Sequence, residues 1–319
     1  MPPEPPQSPA RASGSSDGLL FDWNGTERPP LTPGVVDETL RDGLQSPSAK
    51  DPPIADKLEL LERAASLGID CFALGFPASH RRQFDDALRL AQEVAASRLP
   101  IEVCCAARTL ESDITPIIEL SQRTGIRLLV GMFIGSSPIR RATEGWTLEQ
   151  TLKLSERALE LAISNGLEVL FVAEDSTRSE PDTLKALYET AVRSGAQRVC
   201  VADTVGHSTP EGAARIVGFV RELVHALDPR VAVEWHGHRD RGLDVANCLA
   251  AWRAGAARCH GTALGIGERV GNAPIELLLV NLALLGWREL DLRALPAYVR
   301  VAARALGFEV GPQQPVVGD

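Results

Sequence analysis

The chain has 319 residues, 44% of them hydrophobic and 24% charged, with a formal net charge of −9 at pH 7. Those fractions are those of a soluble globular protein, and the acidic balance argues against a nucleic-acid surface while leaving room for a small basic site. No apolar run of about 18 residues marks a membrane span, and no charged segment followed by an apolar one marks a secretory leader, so the cytoplasm is the expected location.

Residues 1–30 are rich in Pro, Ser, Gly and Arg. Such a segment buries too little to offset the entropy of ordering it, so a disordered or loosely attached arm is expected, with Phe21 and Trp23 as the groups able to pin it as a plug at the base of the domain. From Val35 onward a short apolar run, a few turn residues and a helix-period segment recur. The strand candidates are 35–39, 70–76, 101–107, 127–134, 168–174, 198–204, 231–238 and 257–264. Eight nearly continuous apolar runs at the spacing of βα units predict a (β/α)8 TIM barrel over residues 31–310, in preference to an open doubly wound sheet.

Helix signals lie between the runs. Asp51-Pro52 and Thr209-Pro210-Glu211 each read as an N-cap followed by Pro at the first helical position. Leu148, Leu152, Leu159 and Ile163 form one helical stripe; Leu184, Leu187, Tyr188 and Ala191 form another. Gly68, Gly166, Gly195 and Gly255 stand where helices should stop. A last short helix is predicted over 290–306, followed by a Gly/Pro-rich tail, 311–319. The six cysteines, Cys71, Cys104, Cys105, Cys200, Cys248 and Cys259, form no C-x-x-C pair and are expected to be buried thiols in a reducing compartment.

In a parallel barrel the reacting groups sit at the C-terminal ends of the strands. His236 and His238, two apart on the seventh run, project from one face and make half of a metal site. A carboxylate such as Asp42, at the end of the first run, would complete a facial set with positions left for substrate oxygens. The plain alternative is two surface histidines on a strand end. Glu234 shares their parity one layer deeper. It reads either as the partner that orients a metal-ligand histidine or as a strand-edge carboxylate facing a helix. Arg41 places a cation beside Asp42, able to stabilise an enolate or alkoxide, or simply pairing with the carboxylate. The glycine-rich stretch 265–272 allows close approach of backbone to a substrate, with Gly267 at that contact, and Asn272 offers a neutral oxygen suited to a hard divalent cation.

Taken together these residues become familiar. Asp37-Glu-Thr-Leu-Arg-Asp-Gly-Leu-Gln-Ser46, Gly75-Phe-Pro-Ala78, Glu174-Asp-Ser-Thr-Arg178, Ala202-Asp-Thr-Val-Gly206, His236-Gly-His238 and Gly265-Ile-Gly-Glu-Arg-Val-Gly-Asn272 occur in that order. The chain resembles the 2-isopropylmalate synthase/homocitrate synthase branch of the DRE-TIM metallolyases over about residues 35–286. The resemblance implies an acyl-CoA-dependent acyltransferase with one divalent metal (Mg, Mn or Zn), which condenses acetyl-CoA with a 2-oxo acid and then hydrolyses the thioester. By the same resemblance Asp42, His236 and His238 bind the metal, with Asn272 beside it or ligating. Arg41 holds the developing alkoxide, Thr204 the substrate carboxylate, and Glu174 acts as an acid/base or acyl-positioning group. Arg140 and Glu234 are further expected at the substrate. A homodimer is expected, with no nucleic-acid or membrane partner.

Four departures stand out. Leu44 follows Arg-Asp-Gly where the synthases have Glu, a feature closer to hydroxymethylglutaryl-CoA lyase. Arg239 follows His238 where Asn is usual. Arg140 ends a loop in which the synthases resemble Ser-Pro-x-His, a cation suited to a second substrate carboxylate or to CoA. The C-terminal subdomains of the synthases, one of which supplies a catalytic His, have no counterpart here. A lyase cleaving a 3-hydroxy acyl-CoA is the first rival, weakened because the 265–272 loop lacks that family's Cys. A biotin-dependent carboxyltransferase is set aside because Ala202 stands where its Lys belongs. A non-catalytic barrel subunit is the third reading, opposed by the intact Arg41, Asp42, His236 and His238.

Overall fold

The computed structural model describes residues 27–318. Its eight strands are β1 Gly34–Asp37, β2 Cys71–Ala73, β3 Glu102–Arg108, β4 Leu129–Gly135, β5 Glu168–Glu174, β6 Arg198–Asp203, β7 Ala232–Gly237 and β8 Arg258–Gly261. All neighbours run parallel in the order β1 to β8, and β1 pairs with β8 over Gly34↔Arg258 to Asp37↔Gly261, which closes the barrel. The predicted TIM barrel is therefore the fold. Several strands are shorter than their apolar runs: β2 stops at Ala73, and β8 at Gly261 gives way to a turn of 3-10 helix, Ala263–Gly265. Phe21 and Trp23 lie outside the described residues, as does the arm up to residue 26. Pro33 O, just before β1, accepts from Arg288.

Ten α-helices occur among the described residues: α1 Ile54–Ser66, α2 Arg81–Ser97, α3 Glu111–Thr124, α4 Pro138–Glu144, α5 Leu148–Ser164, α6 Pro181–Arg193, α7 Pro210–His225, α8 Asp244–Arg253, α9 Ile275–Leu284 and α10 Leu295–Leu306. Thr209 caps α7 as expected, accepting from Gly212 N, with Pro210 in the first turn. The expected cap at Asp51 is not used. α1 starts later, behind Pro53, and Asp51 instead pairs with the buried Lys57 and with Arg82. The α6 stripe is buried as predicted. On α5 only Leu159 of the leucine stripe is fully buried, and the inward face is Thr151, Ser155, Ala158 and Ala162. Thr151 and Ser155 donate to the carbonyls four residues back, which satisfies their hydroxyls inside and lets small residues bring α5 close to the sheet.

Two cores result. The larger lies between sheet and helices and holds bulky groups such as Phe72, Phe171 and Trp235. The smaller fills the barrel itself with Val36, Cys71, Ala73, Cys104, Leu129, Leu170 and Cys200. All six cysteines are buried free thiols.

The C-terminal helix locks the β1–β8 seam. Tyr298 on α10 donates to Asp37 Oδ2 at 2.5 Å, Asp37 Oδ1 accepts from Thr39 N at 2.8 Å, and Thr39 Oγ1 accepts from Ala263 N at 2.8 Å. Burial raises the Asp37 carboxyl to about 6, only partly offset by Thr39 and Tyr298. With the folded value above the unfolded one, the stability this group contributes is full below pH 4 and is lost as pH rises through 6. The stability advantage of the native chain over Asp37→Asn should therefore shrink by roughly 2–3 kcal/mol between pH 4 and pH 7. Urea unfolding of both proteins across that range measures it, and a constant difference would remove Asp37 from the pH response.

Candidate active site

A cavity of about 250 Å³ opens at the C-terminal end of the barrel. Its two halves differ. Strands β2 to β5 contribute Ala73, Cys104, Ala106, Gly131, Leu170 and Val172, whereas β1, β7 and β8 with the turns after them contribute Glu38, Arg41, Asp42, His236, His238 and His260.

Asp42 is buried just past β1, and its Oδ2 lies 3.2 Å from His236 Nε2 and 3.5 Å from His238 Nε2. The two Nε2 atoms are 3.4 Å apart. Donors that share one divalent ion at about 2.0–2.2 Å are separated by about 3.0–3.5 Å, so this triangle fits a metal. Burial pushes both imidazoles down, His238 to about 4, which leaves them neutral and able to ligate at neutral pH. Burial opposes the charge on Asp42, but Arg41 and then His236 outweigh it and hold the carboxyl well below its usual range. His236 is the penultimate residue of β7, while His238 lies just beyond the strand and bridges to Asn272.

Asn272 comes to the same place but presents its nitrogen. Nδ2 donates to Asp42 Oδ2 at 3.2 Å, and Oδ1 is buried without a partner among the described residues. Here it ties down the carboxylate, and a half-turn of the amide would offer the oxygen expected of a ligand. Gly267 serves this arrangement and lies against Asn272 rather than in the cavity lining, contrary to the expectation of a substrate contact: a Cβ there would strike Asn272 Oδ1. Gly271 has φ +99° and a Cβ there would strike Gly265 O, so only glycine allows the loop to fold back on itself. Arg269 Nη2 donates to Thr204 O and Arg239 Nε to Val270 O, which strap the loop to the ends of β6 and β7.

The other expected residues separate. Thr204 lines the cavity and its Oγ1 accepts from Asp175 N at 2.8 Å. Glu174 also lines it. Burial raises its carboxyl above the ordinary value, and Arg140, 3.1 Å away, acts against that rise. Arg140 stands at the rim on α4, a segment read from sequence as loop, and pairs also with Glu144. Glu234 is fully buried one layer below the cavity, contrary to its expected place at the substrate. It orients a histidine, though not a member of the His236/His238 pair. Its Oε2 accepts from His260 Nε2 at 3.0 Å.

Of the cavity residues, His260 was passed over by the sequence reading, and Glu38, part of the first motif, was given no role there. His260 Nδ1 lies 3.2 Å from Glu38 Oε1, and Glu38 Oε2 accepts from Arg41 Nε at 2.6 Å. Burial works against a charged His260, but Glu234 and Glu38 on either side raise it to about 9. The signal was its parity with Arg258, which marks both as facing into the barrel. Glu38, His236 and His260 also lie close enough to share an ion, but His236 belongs to the first triangle and Arg41 already neutralises Glu38.

Residues 32–301 match the HMGL-like family. A probable 2-isopropylmalate synthase of Methanopyrus kandleri is 37% identical over 288 residues, which is 89% of this chain and 55% of that protein. An (R)-citramalate synthase of Methanocaldococcus jannaschii is 33% identical over 292 residues, 89% of this chain and 56% of that protein. The chain thus spans just over half the length of each. Among solved structures, hydroxymethylglutaryl-CoA lyase from Pseudomonas aeruginosa superposes with a TM-score of 0.69 at 21% identity, covering 89% of this chain and 95% of that one, a likeness of fold. No helix among the described residues is long and apolar enough to cross a membrane.

Proposed function

The chain belongs to the HMGL-like family, and we propose that its barrel condenses acetyl-CoA with a 2-oxo acid in a metal-dependent Claisen reaction. The observation that carries this reading is the Asp42–His236–His238 triangle with Arg41 beside it, over a cavity whose opposite wall is apolar. Asp42, His236 and His238 would hold a divalent ion, with Asn272 beside them, and such an ion would supply Lewis-acid chemistry for the 2-oxo group.

The protein groups divide the remaining work. A base takes a proton from the acetyl methyl group, the resulting enolate carbon bonds to the oxo carbon, and water then displaces CoA thiol from the thioester. Glu174, with its raised pKa, is suited to the proton transfer. Arg41 is held from behind by Glu38 through Nε and only loosely by Asp42 at Nη2, so its Nη face can turn to the alkoxide that forms from the oxo group. Thr204 offers a hydroxyl to the substrate carboxylate. The apolar wall favours a monocarboxylic 2-oxo acid, because Arg140, suited by sequence to a second carboxylate, is occupied by Glu174 and Glu144.

The test is thiol release from acetyl-CoA by the metal-loaded protein with pyruvate, 2-oxoisovalerate, 2-oxoglutarate and oxaloacetate, each with and without a chelator. Chelator-sensitive release with a monocarboxylic acid supports the reading. Silence across the panel with metal bound overturns it in favour of acyl-CoA cleavage. Arg140→Ala carries a further expectation. Arg140 lowers the Glu174 pKa, so removing it raises that pKa, and with Glu174 as base the acidic limb of the kcat/KM profile should move to higher pH. An unmoved limb would assign the base elsewhere.

A further inference from the structure

We propose that His260 is a positioning residue for Arg41, acting through Glu38 and anchored from below by Glu234. The contacts form a series of buried charged groups from Arg198 to Arg41. Arg198 Nη1 pairs with Glu234 Oε1 at 3.0 Å, and Glu234 Oε2 accepts from His260 Nε2 at 3.0 Å. His260 Nδ1 stands 3.2 Å from Glu38 Oε1, and Glu38 Oε2 accepts from Arg41 Nε at 2.6 Å. Glu234, His260 and Glu38 are 0%, 3% and 6% exposed, so none of them is relaxed by solvent.

Filling space does not account for this series. The opposite half of the barrel interior is packed with apolar groups such as Cys104, Leu129 and Leu170, and apolar groups of similar volume are often as stabilising as a buried ion network or more so. What the charges do have is a direction, since they end on the cation that faces the cavity. Arg41 has a long side chain with many rotamers, and its Nη2 contact with Asp42 is loose at 3.4 Å. The short bond from Glu38 fixes the guanidinium plane, and the charge of His260, 3.2 Å from the other Glu38 oxygen but not aligned as a hydrogen bond, keeps that carboxylate in place. An alkoxide-stabilising donor is effective only when its direction is set before the charge forms.

The proposal builds on the condensation reading, and the experiment separates the two. In protein labelled with 15N-arginine and loaded with metal, the Arg41 Nε–H resonance is identified by its loss in Arg41→Lys. His260→Leu should shift or broaden that resonance whether or not the protein turns over acetyl-CoA. An unchanged resonance overturns the proposal. The kinetic arm is a double-mutant cycle. His260→Leu should lower kcat about 10- to 100-fold, with KM for the 2-oxo acid and metal content near the native values, yet by less than about threefold in an Arg41→Lys background. Equal losses in both backgrounds would make His260 merely structural. Where His260→Leu does not fold, Glu234→Gln takes its place in both arms, since it keeps an acceptor for His260 and removes only the charge. Absence of turnover in every protein would defeat the condensation reading and leave the resonance to decide the role of His260.

Discussion

His238→Ala should lose metal and turnover together. Three side chains form the triangle, and the variant keeps only Asp42 and His236. The loss in metal affinity should exceed the roughly 100-fold reached by altering outer partners of a metal site. Asn272 could add an oxygen only by turning its amide away from Asp42, a neutral donor weaker than the lost imidazole, and His260 stands between two carboxylates. Metal per chain after dialysis, measured by atomic emission alongside thiol release, gives the result. A variant that keeps its metal, or keeps its activity without metal, would remove the triangle as the metal centre.

Arg41→Ala should do the reverse, leaving metal bound and stopping the chemistry. Arg41 is close to Asp42 but contributes no donor atom to the triangle, so metal content should stay at the native level. The loss should fall on kcat, by about 10²- to 10³-fold, the range for removing one donor to a developing oxyanion. Affinity for the 2-oxo acid, measured by calorimetry on the metal-loaded protein, should change little. The substitution has a second consequence, because Glu38 is buried and would lose its shortest bond. A buried charge stripped of its partner costs about 3–5 kcal/mol, so a lower melting temperature should accompany the kinetic effect. Arg41→Lys separates the two, since it keeps a cation for Glu38 and loses the planar fork. A lysine variant that folds like the native chain but remains slow supports the role given to Arg41. Native kcat in either variant would end it.

The barrel was legible because its strands are buried on both sides and so appear as apolar runs at even spacing. Strand ends were not, because apolar residues continue past the last ladder bond, as Leu74 does after β2 and Ala263 and Leu264 do after β8. The juxtaposition of Asp42, His236 and His238 was visible in the sequence, since a strand end fixes where such side chains point. The layer beneath was not. Glu234 and His260 stand on β7 and β8 and Glu38 just past β1, and only the closing of the barrel brings them within 3.2 Å of one another in series. Ser137-Pro138 carried the same cap signal as Thr209-Pro210, yet α4 is so short that no apolar stripe supported it. The leucines of α5 misled because the side that meets the sheet closely needs small residues, and Thr151 and Ser155 can be small and inside only by bonding their own helix.

The seam between β1 and β8 has a consequence for the order in which the molecule matures. Asp42 follows the first strand, His236 and His238 lie at and just past the end of the seventh, and Asn272 lies beyond the eighth. During synthesis the amino-terminal ligand waits while some 190 further residues emerge before its first histidine partner exists, and the ring around them is shut only when β8 reaches β1. If the proposed metal site holds, ion capture would be a late event that reports the joining of β1 and β8. Cobalt, whose visible absorption changes on entering a nitrogen–oxygen site, would serve as a clock for that last step of refolding.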